Sequence, residues 1–174
     1  MPNQDRGRAP ERHTSAAELR EAEARATDRN RGQAPVHARR SDQPTRAIID
    51  GSNVAHSTEG ERPRLRNIVL VAEKLREEGV EPIVVVDAAL RHRIDDAAGL
   101  ERMIDEGAIN QAPAGTDADY FILSFARELD AAVVSNDRFR DRIAAFPEAE
   151  EDVIRYMIVA DEVVLERRSG RKRG

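Results

Sequence analysis

The residues best suited to chemistry in this sequence are acidic side chains that directly follow short apolar runs. Asp50 comes after the run Ala47-Ile48-Ile49, and Asp137 comes shortly after residues 131–134, which are also apolar. A carboxylate at the end of a buried strand suits a hard divalent cation better than it suits a hydrophobic core. The pattern favours a metal-dependent hydrolase, for which a phosphodiester is the natural substrate.

Three further acidic residues belong to the same candidate set. Asp117 and Asp119 stand at the predicted start of a helix, and Asp141 lies four positions after Asp137. Single members also have structural explanations: Asp137 can complement a helix dipole, Asp119 can belong to a capping box, and Asp50 can be a turn residue. Several carboxylates at one edge of a sheet would repel one another, and bound Mg²⁺ or Mn²⁺ would remove that cost.

Composition restricts the chemistry further. The 174 residues include no cysteine, which excludes disulfides, thiolate zinc sites and a cysteine nucleophile, and the four histidines are scattered. Any metal is therefore expected to be held by oxygen ligands. A phosphatase with an aspartyl nucleophile would need a second acid two residues after Asp50, where Ser52 stands. A receiver domain would need an adjacent acidic pair and a suitably placed lysine, and neither is visible.

The charge is distributed unevenly along the chain. Residues 1–46 carry a formal charge of +3, residues 47–166 carry −13, and residues 167–174 carry +5. Residues 1–45 lack an apolar pattern and are predicted to be a disordered tail, and residues 167–174 a basic tail. No signal peptide and no run of membrane-spanning length is visible, so a cytoplasmic protein without a membrane partner is expected.

Alternating strand and helix patterns fill residues 46–166. Strands are predicted at residues 46–50, 82–87, 108–111 and 131–135, helices at 63–79, 99–106, 116–129 and 137–145, and a closing hairpin at 154–159 and 163–165. This alternation predicts a three-layer α/β domain with a mostly parallel sheet between helices and a C-terminal β-hairpin. Asp50, Asp119 and Asp137 would meet at one edge of the sheet if the first strand neighbours the fourth.

Three stretches carry a family resemblance: IIDGSNVAHS, GTDADYFILSFA and VVSNDRFRD. Together they resemble the NYN branch of the PIN-like nucleases, and most closely the ribonuclease domain of the Regnase (CCCH zinc-finger ribonuclease) group. The resemblance covers about residues 46–166. It implies a PIN-like, Rossmann-like fold and a Mg²⁺-dependent endoribonuclease that cuts single-stranded RNA. By motif match it implies Asp50 and Asp137 as metal-coordinating catalytic residues, Asn53 as the site asparagine and Asp141 as the outer carboxylate.

One position departs from the motifs of that group. The group has two adjacent aspartates before its phenylalanine-containing helix; here the second matches Asp119, while Ala118 occupies the first and Asp117 stands one residue earlier. We therefore predict Asp119 as a catalytic residue and metal ligand, and Asp117 as a metal ligand only. The sequence also contains no counterpart of the group's zinc finger.

Substrate contacts are predicted on loops at the same edge of the sheet. Arg91 and Arg93 follow the second strand, and Ser135 and Asn136 lie at the end of the fourth. For the two arginines, a solvated charged loop is the alternative explanation, and Ser135 could instead orient a carboxylate or a water. The alternative function is an RNA-binding or scaffolding module with a weak metal site. A homodimer is left open.

Overall fold

The computed structural model describes residues 44–57, 62–147 and 149–166. The predicted N-terminal tail lies outside the described residues except for its last two positions, and the predicted basic C-terminal tail lies wholly outside them. Among the described residues, no helix is long and apolar enough to cross a membrane.

A five-stranded parallel sheet forms the centre of the fold, in the order β3-β2-β1-β4-β5. The strands are β1 (Arg46–Asp50), β2 (Glu81–Val86), β3 (Ile109–Gln111), β4 (Ala132–Val134) and β5 (Val153–Ile154). The chain winds outward from β1 to β3 and then returns to place β4 on the other side of β1. The topological switch point therefore lies between β1 and β4, where α/β folds place their ligand sites. The predicted α/β class and mostly parallel sheet are confirmed. The first and fourth strands are neighbours, which is the condition under which the acidic residues were expected to meet.

Helices cover both faces of this sheet. They are α1 (Gly51–Ala55), α2 (Leu65–Glu77), α3 (Ala97–Asp105), α4 (Ala118–Leu129) and α5 (Ala149–Asp152). Alternation along β1 divides the core, because Ile49 packs in the apolar cluster with α2 and α3 while its neighbour Ile48 packs with α4. Both isoleucines are fully buried, as expected for a central strand covered on two faces.

Helix α1 was not predicted from the sequence, and it begins directly at the end of β1. Its N-cap is Asp50, whose side chain accepts a hydrogen bond from the backbone N–H of Asn53. A Cβ atom at Gly51 would lie 2.7 Å from the Val86 side chain and 3.0 Å from the carbonyl oxygen of Val85. Glycine at this position therefore lets the first turn of α1 pack closely against β2.

The predicted helix at 137–145 is wrong. Only a short 3₁₀ turn, Arg140–Arg142, forms there, and Phe139 before it has a left-handed backbone with φ of 47°. The Phe139 side chain is buried in the α4 side of the core. In addition, the Asp137 carboxylate accepts the N–H of Phe139 at 2.8 Å, a local turn that competes with helix formation.

The C-terminal hairpin is confirmed, with a different start. Residues 153 and 154 form β5 and pair in parallel with β4, so they do not belong to the hairpin. The antiparallel pair is β6 (Tyr156–Val159) with β7 (Glu162–Leu165). The two residues that connect these strands, Ala160 and Asp161, have positive φ angles of 48° and 65°. That backbone is typical of the tight turns that match hairpin twist.

Candidate active site

Asp50 lies at the switch point, buried at the end of β1 with only 6% of its surface exposed. One carboxylate oxygen accepts the backbone N–H of Asn53 at 3.1 Å, and the other accepts the hydroxyl of Ser135 at 2.9 Å. Burial raises the pKa of Asp50 to about 6, these two hydrogen bonds oppose the rise, and the negative charges of Asp119 and Asp137 add to it. Among the residues that the structure describes, no cationic side chain offsets this rise, so the ionised carboxylate lacks a compensating positive charge there.

Asp119 and Asp137 reach the same edge from different elements. Asp119 lies in the first turn of α4, partly buried, and its pKa is raised by burial and by the charge of Asp137. Asp137 follows β4 and is exposed, and its backbone N–H donates to the Ser135 hydroxyl at 3.0 Å. The structure thus places Asp119 and Asp137 where their charges help to raise the pKa of Asp50, and Asp137 where its charge helps to raise the pKa of Asp119.

The structure does not bring Asp117 and Asp141 into this group. Asp117 is the N-cap of α4, where it accepts the N–H of Tyr120 at 3.1 Å, and it forms an ion pair with Arg142. The helix therefore begins two residues later than predicted, with Asp117 in the capping position. Asp141 is exposed on the 3₁₀ turn and contacts no charged group within the described ranges. Neither residue is among the charges that raise the pKa of Asp50 or Asp119.

Asn53 projects from α1 with one end of its side chain fixed. Its Oδ1 accepts the backbone N–H of Asn136 at 2.9 Å and the hydroxyl of Tyr156 at 3.0 Å. Because a backbone N–H can only donate, the contact with Asn136 identifies the oxygen end of the amide. Its Nδ2 makes no hydrogen bond within the part of the chain that the structure describes, and it remains a donor for a ligand.

The side chains of Ser135 and Asn136 are engaged inside the protein. The Ser135 hydroxyl is fully buried between the Asp50 carboxylate and the N–H of Asp137. The Asn136 amide donates from Nδ2 to the carbonyl of Tyr156 at 3.0 Å and accepts the N–H of Tyr156 at 3.2 Å. Both side chains therefore hold the loop after β4 in place, and direct contact with a substrate stays a prediction for these two residues.

The two arginines predicted to contact the substrate differ in how firmly their guanidinium groups are held by other side chains. Arg91 lies on the 3₁₀ turn Leu90–His92, partly buried, and donates to the side-chain oxygen of Gln111. Arg93 is exposed, and its guanidinium lies 3.8 Å from the Asp87 carboxylate. An exposed pair at that distance is weak. Arg93 is thus the more available of the two to meet a phosphate.

Sequence reasoning missed Arg155 and Tyr156, which join the end of β5 to β6. The Arg155 guanidinium donates to the carbonyl oxygens of Ser135 at 3.1 Å and Asp137 at 2.6 Å. The Tyr156 hydroxyl reaches Asn53, and its pKa is raised by burial and by the charge of Asp50, so it stays protonated and able to donate. The sequence predicts one continuous strand over residues 154–159, so nothing in it indicates that Arg155 and Tyr156 turn toward the site.

The donor chemistry of this edge fits a hard divalent cation, since it consists of carboxylates with one of them buried. A cation would also offset the burial and the carboxylate repulsion that together raise the pKa values of Asp50 and Asp119. Within residues 44–57, 62–147 and 149–166, however, no three acidic or histidine side chains stand close enough to hold an ion as they are placed. Coordination would require Asp119 and Asp137, which are not fully buried, to turn toward Asp50.

Comparisons with known proteins agree with this architecture. A search of curated proteins finds no match. Among solved structures, nuclear proteinaceous RNase P 2 (PRORP2) from A. thaliana superposes with a TM-score of 0.59 at 21% identity, covering 90% of this chain and 37% of that one. A second structure of Arabidopsis thaliana nuclear protein-only RNase P 2 gives a TM-score of 0.57 at 22% identity, covering 86% and 33%. The chain thus spans about a third of the length of these proteins, and the likeness establishes a shared fold.

The sequence profile of the Zc3h12a-like Ribonuclease NYN domain matches residues 43–174. That range contains every strand of the sheet and the hairpin. It also contains Asp50, Asp119 and Asp137, which together are called the acidic edge. It also agrees with the resemblance to the Regnase group and with the PIN-like fold. The chain therefore belongs to the Zc3h12a-like ribonuclease NYN domain family.

Proposed function

We propose that this domain is a Mg²⁺- or Mn²⁺-dependent endoribonuclease that hydrolyses phosphodiester bonds of single-stranded RNA. The observation that carries the proposal is the pKa of Asp50, which burial and the charges of Asp119 and Asp137 raise to about 6 at the switch point of the sheet. Groups with perturbed pKa values in such positions are typical of functional sites. Membership of a ribonuclease family supports RNA as the substrate class.

Asp50, Asp119 and Asp137 are the residues proposed to hold the metal. When bound, the ion would activate a water molecule and neutralise charge on the scissile phosphate. The chain's own contribution begins with Ser135 and the N–H of Asn53, which fix the Asp50 carboxylate at both oxygens. Because Asp50 cannot swing away, the other two carboxylates define the place of the ion relative to it.

Asn53 is proposed to contact the substrate directly. Its free Nδ2 donates a hydrogen bond to a non-bridging oxygen of the scissile phosphate, where negative charge increases during attack by water. Arg93 is proposed to bind a neighbouring phosphate, since it is exposed and only weakly paired. The proposal does not depend on Asp141 as an outer carboxylate or on Arg91 as a substrate contact. Asp141 lies away from the three carboxylates, and Arg91 is engaged with Gln111.

A non-catalytic RNA-binding module is the second candidate. It is favoured by one observation: in the described parts of the chain, no three acidic or histidine side chains are placed closely enough to hold a metal. A domain of this kind would bind RNA through its exposed arginines and would leave the phosphodiester intact. The two candidates differ in a measurable way, since only the enzyme requires a divalent ion to change its substrate.

The decisive experiment is cleavage of an end-labelled single-stranded RNA with Mg²⁺, with Mn²⁺ and with EDTA. We expect internal cuts with either ion, none with EDTA, and none from Asp50→Asn. Asp105→Asn is the matched control, because Asp105 is the last residue of α3 and lies at the opposite edge of the sheet. This variant should cleave RNA like the wild type. Calorimetric titration with Mn²⁺ adds a second readout, with binding to wild type and not to Asp50→Asn. RNA binding without divalent-dependent cleavage would reject the enzyme in favour of the module.

A further inference from the structure

Tyr156 occupies an unusual position between the hairpin and the candidate active site. It is the first residue of β6 and is buried, with 6% of its surface exposed. Its hydroxyl lies 3.0 Å from Oδ1 of Asn53 and 3.2 Å from the backbone carbonyl of the same residue. A hairpin residue distant in sequence thus contacts the polar side chain that stands one helical turn from Asp50.

Two contacts fix the side-chain amide of Asn53. Its Oδ1 has two donors, the Tyr156 hydroxyl and the N–H of Asn136. The N–H of Asn136 selects the orientation, because a turned-over amide would place its NH₂ group against a second donor and lose that hydrogen bond. The Tyr156 hydroxyl adds a second hydrogen bond to the same oxygen, so the amide has less freedom to rotate away from this position.

Tyr156 is itself fixed by the loop that carries Asp137. The Asn136 side chain bonds both the N–H and the carbonyl of Tyr156, in a two-bond contact between β6 and the end of β4. Arg155 adds bonds to the carbonyls of Ser135 and Asp137. The tyrosine ring therefore enters the site from a backbone that is anchored to the same loop as the acidic residues.

We propose that Tyr156 is a positioning residue of this site, whose hydroxyl holds the Asn53 amide so that Nδ2 is presented to a phosphate oxygen of RNA. The inference rests on the proposed function for its substrate, and on geometry alone for the contact. Tyr156 has no need to touch the substrate. Its effect passes through Asn53, which distinguishes it from a residue that only stabilises the fold.

Tyr156→Phe tests the proposal, since it removes one oxygen and retains the buried ring. Tyr120→Phe is the matched control, because Tyr120 is the only other tyrosine in the sequence and is 52% exposed. We expect Tyr156→Phe to lower kcat for RNA cleavage roughly tenfold with KM changed less than about threefold, the size of one lost orienting hydrogen bond. Tyr120→Phe should stay within about twofold of wild type on the same scale.

A double-mutant cycle separates positioning from plain stability. In an Asn53→Ala background the amide is gone, so Tyr156→Phe should have almost no further effect on kcat. A tenfold loss in both backgrounds would overturn the proposal and assign Tyr156 to stability. Thermal denaturation of all four proteins checks that each remains folded at the assay temperature.

A spectroscopic measurement keeps the test independent of cleavage. The carboxamide ¹H–¹⁵N signals of Asn53, assigned by their absence in Asn53→Ala, should shift in Tyr156→Phe and stay in place in Tyr120→Phe. If wild type cleaves no RNA, the proposed function fails, and these signals still decide whether Tyr156 holds the amide. Unchanged Asn53 signals in Tyr156→Phe would overturn the positioning role even in an active enzyme.

Discussion

The raised pKa of Asp50 makes a quantitative prediction about the stability of the metal-free protein. The pKa rises from an ordinary value of 3.8 to about 6 in the folded state. Between these two values the folded protein binds more protons than the unfolded chain, so stability falls as the pH rises through that window. Each pH unit of difference corresponds to about 1.4 kcal/mol, which gives a loss of about 3 kcal/mol at neutral pH as the upper bound.

Asp50→Asn removes this penalty while keeping the shape of the side chain. The amide oxygen still accepts the N–H of Asn53, and the Ser135 hydroxyl can rotate to accept from the new NH₂ group. We expect the substituted protein to be more stable than wild type by about 1–3 kcal/mol at pH 7.5 in EDTA, and the advantage to vanish near pH 4. A gain of this size raises Tm by several degrees.

The assay is urea denaturation followed by circular dichroism at pH values from 4 to 8. The quantity of interest is the difference in unfolding free energy between wild type and Asp50→Asn, because titrating groups far from Asp50 cancel in that difference. The coupling of Asp50 to Asp119 and Asp137 remains part of the measured effect. Asp105→Asn, at the opposite edge of the sheet, should show no such pH-dependent difference. A wild type that equals or exceeds Asp50→Asn in stability at pH 7.5 would refute the argument that Asp50 is a destabilised, uncompensated carboxylate.

Two further predictions concern neighbouring residues. Asp119→Asn should abolish divalent-dependent RNA cleavage, whereas Asp117→Asn should retain most of it. Asparagine is as good an N-cap as aspartate, so the second substitution should leave α4 intact. Equal losses of cleavage in the two variants would assign a metal-binding role to Asp117 as well. Gly51→Ala should lower the unfolding free energy by about 1–3 kcal/mol, since its Cβ would meet the Val86 side chain at 2.7 Å. Urea denaturation measures the change in unfolding free energy of Gly51→Ala. An unchanged midpoint would mean that Val86 moves aside without loss of stability.

The central part of the fold followed from sequence because its signals are local. Ile48 and Ile49 in β1 and the valines of β2 form β-branched runs, and the helical spacing of α2 and α4 extends over three turns. Helix α1 was not predicted, because its five residues are too few to show the helical periodicity of apolar side chains. The parallel sheet followed from the alternation of strands and helices, whereas the order of its strands was not predicted.

The parts that were missed depend on contacts between distant residues. The burial of Phe139 against α4 competes with the helix predicted at 137–145, and no local pattern announces that burial. Arg155 separates β5 from β6 without a glycine or proline to mark the change. Strand ends suggested the placement of Asp50 and Asp137, and the start of the helix before β4 suggested that of Asp119. The capping position of Asp117 depended on the residue at which α4 begins.

The hydrogen bonds that build the acidic edge also set the order in which it can form during synthesis. Ser135 bonds Asp50 across 85 positions of the chain, and Tyr156 bonds Asn53 across 103. A ribosome releases β1 first, and its site partners emerge only after most of the domain has followed. A nascent chain therefore carries Asp50 and Asn53 long before they have their partners, so the proposed nuclease cannot cut RNA while the segment up to Tyr156 is still being translated.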